Sequence, residues 1–329
     1  MPCMRSLLAT VLLAASTSTP QFSLPAKLER VLADGKWDAT PKSFRVIALS
    51  NVADGCVGQA RARPGTEAEA KQCVAAALKQ ALALGKVRDG LYLSHLNLIY
   101  GAADQLGACP DERAHEALTR ELVQRSLADP TLHAASYEGV GLRWPADQTA
   151  TLASIARFDA AHGTTLLTAP LAGWEKVVSK HLDPKTKLPE SEVTGRGPGA
   201  KHPRGCAQSY ITRYLSEADP KLAATWWGAY RAHFLVRMGP IVGFREWPPG
   251  VERKGDVDSG PIIMGIGTAA SAFALSAAKA QGDVVLAAQL EANETALLSS
   301  GVGGEVAHLA LAEAIAFQGK WQPVVVEVE

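Results

Sequence analysis

The chain has 329 residues, of which 47% are hydrophobic, enough for a large core in one large domain or two ordinary ones. Its 33 basic and 33 acidic residues give a net charge of zero. No basic stripe is present, so a nucleic-acid partner is not expected.

The first residues resemble a secretory signal. Arg5 precedes an apolar run from Leu7 to Ala15, and small residues follow at 16–18. The run is too short to anchor a mature chain in a membrane. We therefore predict a signal peptide over 1–19, a periplasmic or secreted protein with no membrane span, and one domain over 20–329.

Four cysteines remain after such a cleavage: Cys56, Cys73, Cys109 and Cys206. None forms a CxxC pair, which argues against a zinc ribbon or a redox pair. In an exported chain, one disulfide among the first three is expected. No His/Asp cluster has metal-binding spacing and no cofactor motif is visible, so we predict neither a metal nor a cofactor.

Apolar spacing is helical along nearly the whole chain, which predicts an all-α fold. Strand-like sequence is confined to 324–328, and residues 183–204 form a Pro- and Gly-rich loop without apolar periodicity. The predicted helices are 42–52, 66–84, 91–107, 112–128, 147–162, 170–181, 205–217, 220–237, 259–281, 283–298 and 304–318.

The stretch 254–281 is the most informative. Asp256 and Asp258 precede an apolar run that predicts a helix buried on all sides, with Ser259 as its N-cap and Pro261 in its first turn. The glycines of the Gly-Ile-Gly segment at 265–267 are then explained by helix packing.

Predicted helices that are rich in small and apolar residues begin at residues 91, 147, 205, 259 and 304. They alternate with amphipathic helices that begin at residues 66, 112, 220 and 283. This alternation predicts an (α/α)6 toroid of helical hairpins; the alternative is an irregular α-solenoid, but no repeat period is visible. In a toroid the inner helices run the same way, so the residues at their starts gather at one rim. These residues are Tyr92, His95, Tyr137, Glu138, Arg143, Trp144, Asp147, His202, Arg204, Cys206, Tyr210, Glu246, Asp256, Asp258, Glu305 and His308.

The segment 94–101, Ser-His-Leu-Asn-Leu-Ile-Tyr-Gly, resembles the corresponding segment of the linalool dehydratase-isomerase family. The similarity continues through 114–120, His162-Gly163-Thr164, Ser209-Tyr210 and 219–220, covering about residues 50–290 with gaps. The resemblance implies an (α/α)6 barrel, a periplasmic enzyme with a central apolar pocket, a homo-oligomer, and His95 as the active-site histidine. The family's two cysteines correspond to segment 140–150, which has none here; Asp147 lies at the position of the second.

Each candidate has a functional and a structural interpretation. His95 is a general acid or base, or a core histidine. Asp147 is an acid–base group or an N-cap. Arg204 binds an anionic group or lies on the surface, and Tyr210 donates a proton or packs in the core. Glu246 either belongs to the site or pairs with Arg245.

The remaining candidates complete the prediction. Trp144 and Trp247 would stack on a sugar or pack in the core. Cys206 is expected to be a buried thiol rather than a nucleophile. The histidines on outer helices or turns are expected at the surface: His115, His162, His181 and His233.

We predict a cofactor-independent acid/base enzyme, a lyase or isomerase of a small alcohol. His95, Asp147, Asp256 and Asp258 would be catalytic, and the substrate would contact Tyr92, Tyr137, Arg143, Trp144, Arg204, Tyr210, Glu246 and Trp247. A carbohydrate-active enzyme with paired carboxylates is the alternative, and a non-catalytic binding protein is the third possibility. An apolar pocket would favour a terpenoid-like ligand, whereas a groove lined by the two tryptophans would favour a glycan.

Overall fold

The computed structural model describes residues 21–85, 87–197, 199–300 and 309–325, without the side chains of residues 298 and 300. Within these ranges the chain forms twelve α-helices, a 3-10 turn at Lys42–Phe44 and four short strands, so the prediction of a predominantly helical fold is confirmed. The helices are α1 (Ala26–Asp34), α2 (Arg45–Ala62), α3 (Glu67–Ala83), α4 (Gly90–Gln105), α5 (Glu112–Ala128), α6 (Pro145–His162), α7 (Thr168–Val178), α8 (Gly205–Ala218), α9 (Pro220–Phe234), α10 (Thr268–Ala280), α11 (Val284–Ser300) and α12 (Ala310–Trp321). The strands are β1 (Leu235–Met238), β2 (Ile241–Phe244), β3 (Ile262–Ile263) and β4 (Ile266–Gly267).

Six helices contact one another in a closed series. Helix α2 packs on α4, α4 on α6, α6 on α8, α8 on α10, α10 on α12, and α12 packs on α2 again. The other helices lie against this series: α3 contacts α2 and α4, α5 contacts α4 and α6, α9 contacts α8, and α11 contacts α10.

The number of buried faces distinguishes the helices of the closed series from those that lie against it, as α4 and α5 illustrate. Every residue of α4 from Gly90 to Ala103 is buried. Helix α5 buries a single stripe along one face: His115, Leu118, Thr119, Leu122 and Ser126. A helix with one buried stripe lies at the surface, whereas one buried on every face is enclosed by protein.

The closest approach in the closed series is between α2 and α12. A Cβ atom added at Gly58 would lie 2.1 Å from the carbonyl oxygen of Trp321. Only a residue without a side chain allows the two backbones to come this close.

The predicted helix over 259–281 is wrong in its first nine residues. The chain instead forms a turn and the antiparallel hairpin β3–β4, whose two-residue turn has positive φ at Met264 (53°) and Gly265 (80°). Helix α10 begins only at Thr268, because the carbonyls of Pro261 and Ser259 accept hydrogen bonds from its first two N–H groups. Ser259 is therefore not the N-cap, the glycines at 265 and 267 are not inside a helix, and Met264 is 70% exposed.

Strands were also predicted in the wrong place. The four strands lie at 235–244 and 262–267, whereas residues 324 and 325 are in no strand and 326–329 lie outside the described residues. The helix predicted to reach residue 237 ends at Phe234, because Leu235 is extended and pairs with Phe244.

Other boundaries also differ from the sequence prediction. Helix α1 was not predicted, and α2 continues ten residues beyond the predicted end at residue 52. The signal peptide predicted over 1–19, the predicted helical residues 304–308, and the rim candidates Glu305 and His308 lie outside the described residues.

A disulfide joins Cys56 of α2 to Cys73 of α3, which confirms the expectation of one bridge among the first three cysteines. Cys109 and Cys206 are free thiols. Among the helices that the structure describes, none combines the length and apolarity that a bilayer crossing requires.

Four charged side chains form a buried ionic cluster between α2, α6 and α8. Arg157 binds both oxygens of Asp54 (2.5 and 2.9 Å) and both oxygens of Glu217 (2.6 and 2.8 Å). Arg213 also contacts both carboxylates. The two positive and two negative charges balance.

Candidate functional site

His95 lies at the centre of the candidate site, completely buried in α4. Its Nδ1 is 2.6 Å from the hydroxyl of Ser50 on α2, and its Nε2 is 2.6 Å from the hydroxyl of Tyr210 on α8. Three helices of the closed series thus supply one hydrogen-bonded chain of side chains.

The hydrogen bonds among Ser50, His95 and Tyr210 determine which atom donates and which accepts in each pair. The Ser50 hydroxyl lies 2.9 Å from the carbonyl of Ile47 and donates its only hydrogen there. Ser50 Oγ then accepts from Nδ1–H of His95, which leaves the lone pair of Nε2 to accept from the Tyr210 hydroxyl. His95 is thus a neutral acceptor behind Tyr210.

Burial keeps both partners in their neutral forms. It lowers the pKa of His95 to about 3, with a further contribution from the positive charge of Arg157. Burial also raises the pKa of Tyr210 well above its usual value, and the nearby Tyr214 and Asp147 add to this effect. His95 therefore acts through Tyr210 rather than as a free base.

Asp147, in the first turn of α6, is a carboxyl group suited to proton transfer. Burial raises its pKa from 3.8 to about 6 and the charge of Asp258 contributes, while a hydrogen bond from Ser136 opposes the shift. The residue nevertheless keeps partial solvent access. A carboxyl group that titrates near neutral pH both donates and accepts protons there.

Asp258 and Tyr137 are two further ionisable side chains that lie near Asp147. Burial raises the pKa of Asp258, and so does the charge of Asp256. Asp147 and Asp258 both lie close enough to Tyr137 to raise the pKa of its hydroxyl, after burial itself. Asp147, Asp258, Tyr137 and Tyr210 thus influence one another electrostatically.

Arg204 organises the acidic side chains next to them. It donates to Glu246 at 2.7 Å and to Asp256 at 2.7 Å, and its Nη1 is 3.7 Å from Asp258. Burial favours the neutral form of Asp256, but the hydrogen bond and charge of Arg204 outweigh it and lower the pKa. Asp256 is therefore ionised and tightly paired with Arg204, whereas Asp258 lies at the longer distance of 3.7 Å from the same guanidinium.

Glu246 pairs with Arg204 rather than with Arg245, the partner that the sequence suggested. It also accepts from the backbone N–H and the thiol of Cys206. Burial and the charge of Glu246 raise the pKa of this thiol far above its usual value, so Cys206 stays protonated and is a poor nucleophile.

A pocket of about 900 Å³ opens beside these groups. Asp256 and Asp258 lie on its wall, and most of the remaining wall is apolar. Ala272, Leu311 and Ile315 line the pocket and also pack against the cluster that contains Tyr210. Other apolar wall residues include Phe44, Ile241, Ile263, Met264, Ile266 and Leu290.

Several predicted substrate contacts lie elsewhere. The Tyr92 hydroxyl donates to the carbonyl of Ala81. Arg143 is held by Asp129 at 2.8 Å. Trp144 packs against Tyr137. These three side chains are engaged in packing or pairing, and none of them lines the pocket.

Trp247 is also used structurally, because its buried ring lies between the guanidinium groups of Arg204 and Arg253. The prediction that His115 is at the surface is wrong: it is completely buried. His162 is exposed, as predicted, and His181 and His233 are partly exposed.

Sequence analysis missed Ser50 and Ser136. Ser50 and its neighbour Asn51 are polar residues between the apolar segments 46–49 and 52–53 of α2, and this was the available signal. Ser136 lies in an irregular segment and had no comparable signal.

No protein-family model matches the sequence, and no curated protein is significantly similar to it.

Proposed function

We propose that this chain is an acid/base enzyme, a lyase or isomerase that acts on a small apolar alcohol without a cofactor. The observation that carries the proposal is the largely apolar pocket of about 900 Å³, whose wall includes Asp258, a carboxyl group with a raised pKa that in turn raises the pKa of Asp147. Pockets of this size that are mainly apolar with a few polar groups suit small-molecule ligands.

The proposal includes an (α/α)6 barrel. The closed series of six helix contacts supports it, as do the further helices that lie against the series. In such a barrel the starts of α6, α8 and α10 share one rim, consistent with the interactions of Asp147 with Asp258 and of Arg204 with Asp256.

In the proposed reaction Asp147, in its protonated form, donates to the departing hydroxyl of the substrate. The C–O bond breaks and water leaves. An ionised carboxylate, Asp258 or the Asp147 just deprotonated, removes a proton from the adjacent carbon, and the C–H electron pair forms the alkene. The proton given to the hydroxyl is thus balanced by the proton taken from carbon.

Tyr210 would orient the substrate hydroxyl through its oxygen, because its hydrogen is committed to Nε2 of His95. Ser50 fixes the His95 ring from the other side. This arrangement makes His95 a positioning residue, a different role from the direct acid or base suggested by its match to the linalool dehydratase-isomerase segment.

The wall of the pocket favours an apolar substrate over a sugar. Trp144 and Trp247 are packed against Tyr137 and two arginines instead of forming an open stacking surface. A glycan site needs exposed aromatic faces and polar rims. The carbohydrate-active alternative is therefore the weaker proposal.

The disulfide between Cys56 and Cys73 supports the proposed export to the periplasm or medium, because such bonds persist in oxidising compartments.

The test is a turnover assay of the purified chain with small alkenols and, separately, with oligosaccharides. Asp147→Asn should lower alkenol turnover by about 10²–10⁴-fold, the usual contribution of a placed proton-transfer group. Tyr210→Phe should lower it by about 10²-fold, because the substrate hydroxyl loses the group that orients it. Tyr230→Phe is the matched control, because it removes a buried hydroxyl that donates to the Gly205 carbonyl and contacts Ser209, neither of which lines the pocket.

Wild-type turnover of oligosaccharides alone would replace the proposal with the carbohydrate alternative. Binding of alkenols without turnover would indicate a binding protein. Full activity in both Asp147→Asn and Tyr210→Phe would refute the assigned roles.

A further inference from the structure

Four potential metal ligands converge where α4 and α6 end and α5 begins. They are Asp104 in the last turn of α4, Cys109 in the following connection, His115 in α5 and His162 at the end of α6. The ligand atoms of the first three lie within 4.8 Å of one another, and Nε2 of His162 is 3.0 Å from Asp104 Oδ2.

His115 shows that this cluster is not a completed hydrogen-bond network. The residue is completely buried, yet neither ring nitrogen has a hydrogen bond of normal geometry within the described part of the chain. Asp104 Oδ2 is 2.9 Å from Nδ1, so at this short distance it must lie off the line of an N–H bond. A buried imidazole without a well-aligned hydrogen bond is costly, and a cation held between the nitrogen and the carboxylate would satisfy both.

The surroundings hold these side chains in place. The His115 ring stacks on Tyr100 (5.3 Å between centroids) and meets the edge of Phe158 (4.9 Å). The backbone N–H of Asp111 donates to the sulfur of Cys109. Preorganised ligands with fixed ring orientation are typical of metal sites.

We propose that Asp104, Cys109, His115 and His162 bind one Zn²⁺ ion. One sulfur, two imidazoles and one carboxylate are ligands that Zn²⁺ accepts in a tetrahedral arrangement. Four protein ligands leave no position for a substrate, so the ion is structural and ties the ends of α4 and α6 to α5.

This site is independent of the proposed catalysis. Nine residues of α4 separate Asp104 from His95, a rise of about 13 Å along the helix. The spacing of metal ligands along the sequence did not reveal the site, because His162 is 58 positions from Asp104 and only packing brings the two residues together.

Titration of the metal-free chain with Co²⁺ tests the proposal, because Co²⁺ replaces Zn²⁺ and reports its ligands by absorption. The expected result is one bound ion per chain, with a sulfur-to-metal charge-transfer band and the visible bands of a tetrahedral site, all displaced by Zn²⁺. Cys109→Ser should abolish the charge-transfer band, and His115→Gln should weaken binding by more than about 100-fold, beyond the loss typical of an outer-shell partner.

Cys206→Ser and His181→Gln are the matched controls and should bind as the wild type does, because the first removes the other free thiol and the second a partly exposed histidine paired with Glu190. The wild-type chain provides a second measurement that needs no variant: Zn²⁺ should protect Cys109 from alkylation, as read by mass spectrometry. Absence of stoichiometric binding, an unchanged spectrum in Cys109→Ser, or alkylation of Cys109 unaffected by Zn²⁺ would each overturn the site.

Discussion

Removal of Arg157 should destabilise the protein strongly, because this side chain makes most of the bonds in the buried ionic cluster. It holds both oxygens of Asp54 and both oxygens of Glu217, and its own side chain is only 6% exposed. Arg157→Met keeps much of the side-chain volume but leaves two carboxylates facing Arg213 alone.

The magnitude follows from the uncompensated charge. Breaking a buried ion pair by removing one partner typically costs about 3–5 kcal/mol. Burial would raise the pKa of Glu217, but Arg157 and Arg213 outweigh it and lower the pKa from 4.5 to about 2. A shift of that size corresponds to about 3 kcal/mol of stabilisation, so Arg157→Met should lower the free energy of unfolding by about 3–5 kcal/mol.

Urea unfolding at pH 7, followed by circular dichroism, measures this loss. Arg120→Met is the control, because Arg120 pairs with Glu116 at an exposed site and should contribute less than about 0.5 kcal/mol. The double variant Arg157→Met/Asp54→Asn restores charge balance around Arg213 and Glu217 and should recover part of the loss.

The pH dependence has a definite sign. The folded pKa of Glu217 lies below its unfolded value, so its stabilisation is complete above the unfolded value near 4.5 and is lost as the pH falls through about 2. The difference between wild type and Arg157→Met should shrink in the same range. An Arg157→Met protein within about 1 kcal/mol of wild type at pH 7 would refute the reasoning, as would a double variant no more stable than the single one.

Three further predictions concern stability. The pKa of Asp147 is higher in the folded than in the unfolded protein, so its ionisation costs stability as the pH rises from about 4 to 6. Asp147→Asn should therefore be about 2–3 kcal/mol more stable than wild type at pH 8 and little different at pH 4. Equal unfolding curves at pH 8 would contradict this. Replacing Cys56 and Cys73 by Ala should cost about 3 kcal/mol, because the bridge closes a loop with a sequence separation of 17; the loss should disappear when both proteins are compared in reductant. Gly205→Ala should prevent stable folding or lower the melting temperature sharply, since its Cβ would lie 1.9 Å from the Arg245 carbonyl oxygen. The control is Gly228→Ala in α9, whose Cβ would meet no atom within 4 Å and which should be neutral or stabilising by up to about 1 kcal/mol. Similar melting temperatures for the two variants would be incompatible with the described packing.

Helices were predicted correctly where the sequence carries a signal at both of their ends. Helix α5 has the predicted bounds, because Asp111 caps it by accepting from the N–H of Ala114 and Asp129-Pro130 follows its end. The run 262–267 carried no such signal. A short apolar run is compatible with a helix or a strand, and the two-residue turn uses Met264 instead of the usual Asn or Asp before glycine.

The candidate site was only partly predictable for a different reason. The sequence indicated His95 and Tyr210 separately, but they are 115 positions apart and their hydrogen bond exists only after α4, α6 and α8 pack in order. Its other partner, Ser50, looked like any hydroxyl on a helix. The pairing of Arg204 with Glu246 and Asp256, across 42 and 52 positions, likewise depends on packing rather than on local sequence.

The contact of α12 with α2 determines the order in which this chain can complete its fold. The pairing joins an early helix to the last described one, and nearby the N–H of Ala310 donates to Asp38 across 272 positions of sequence. Until α12 docks, the face of α2 around Gly58 therefore lacks the partner that covers it in the fold. Contacts of such long range form late and slow the folding of a domain. The folding chain should therefore expose this helical surface for longer than a bundle of the same size in which neighbouring helices pair in sequence order.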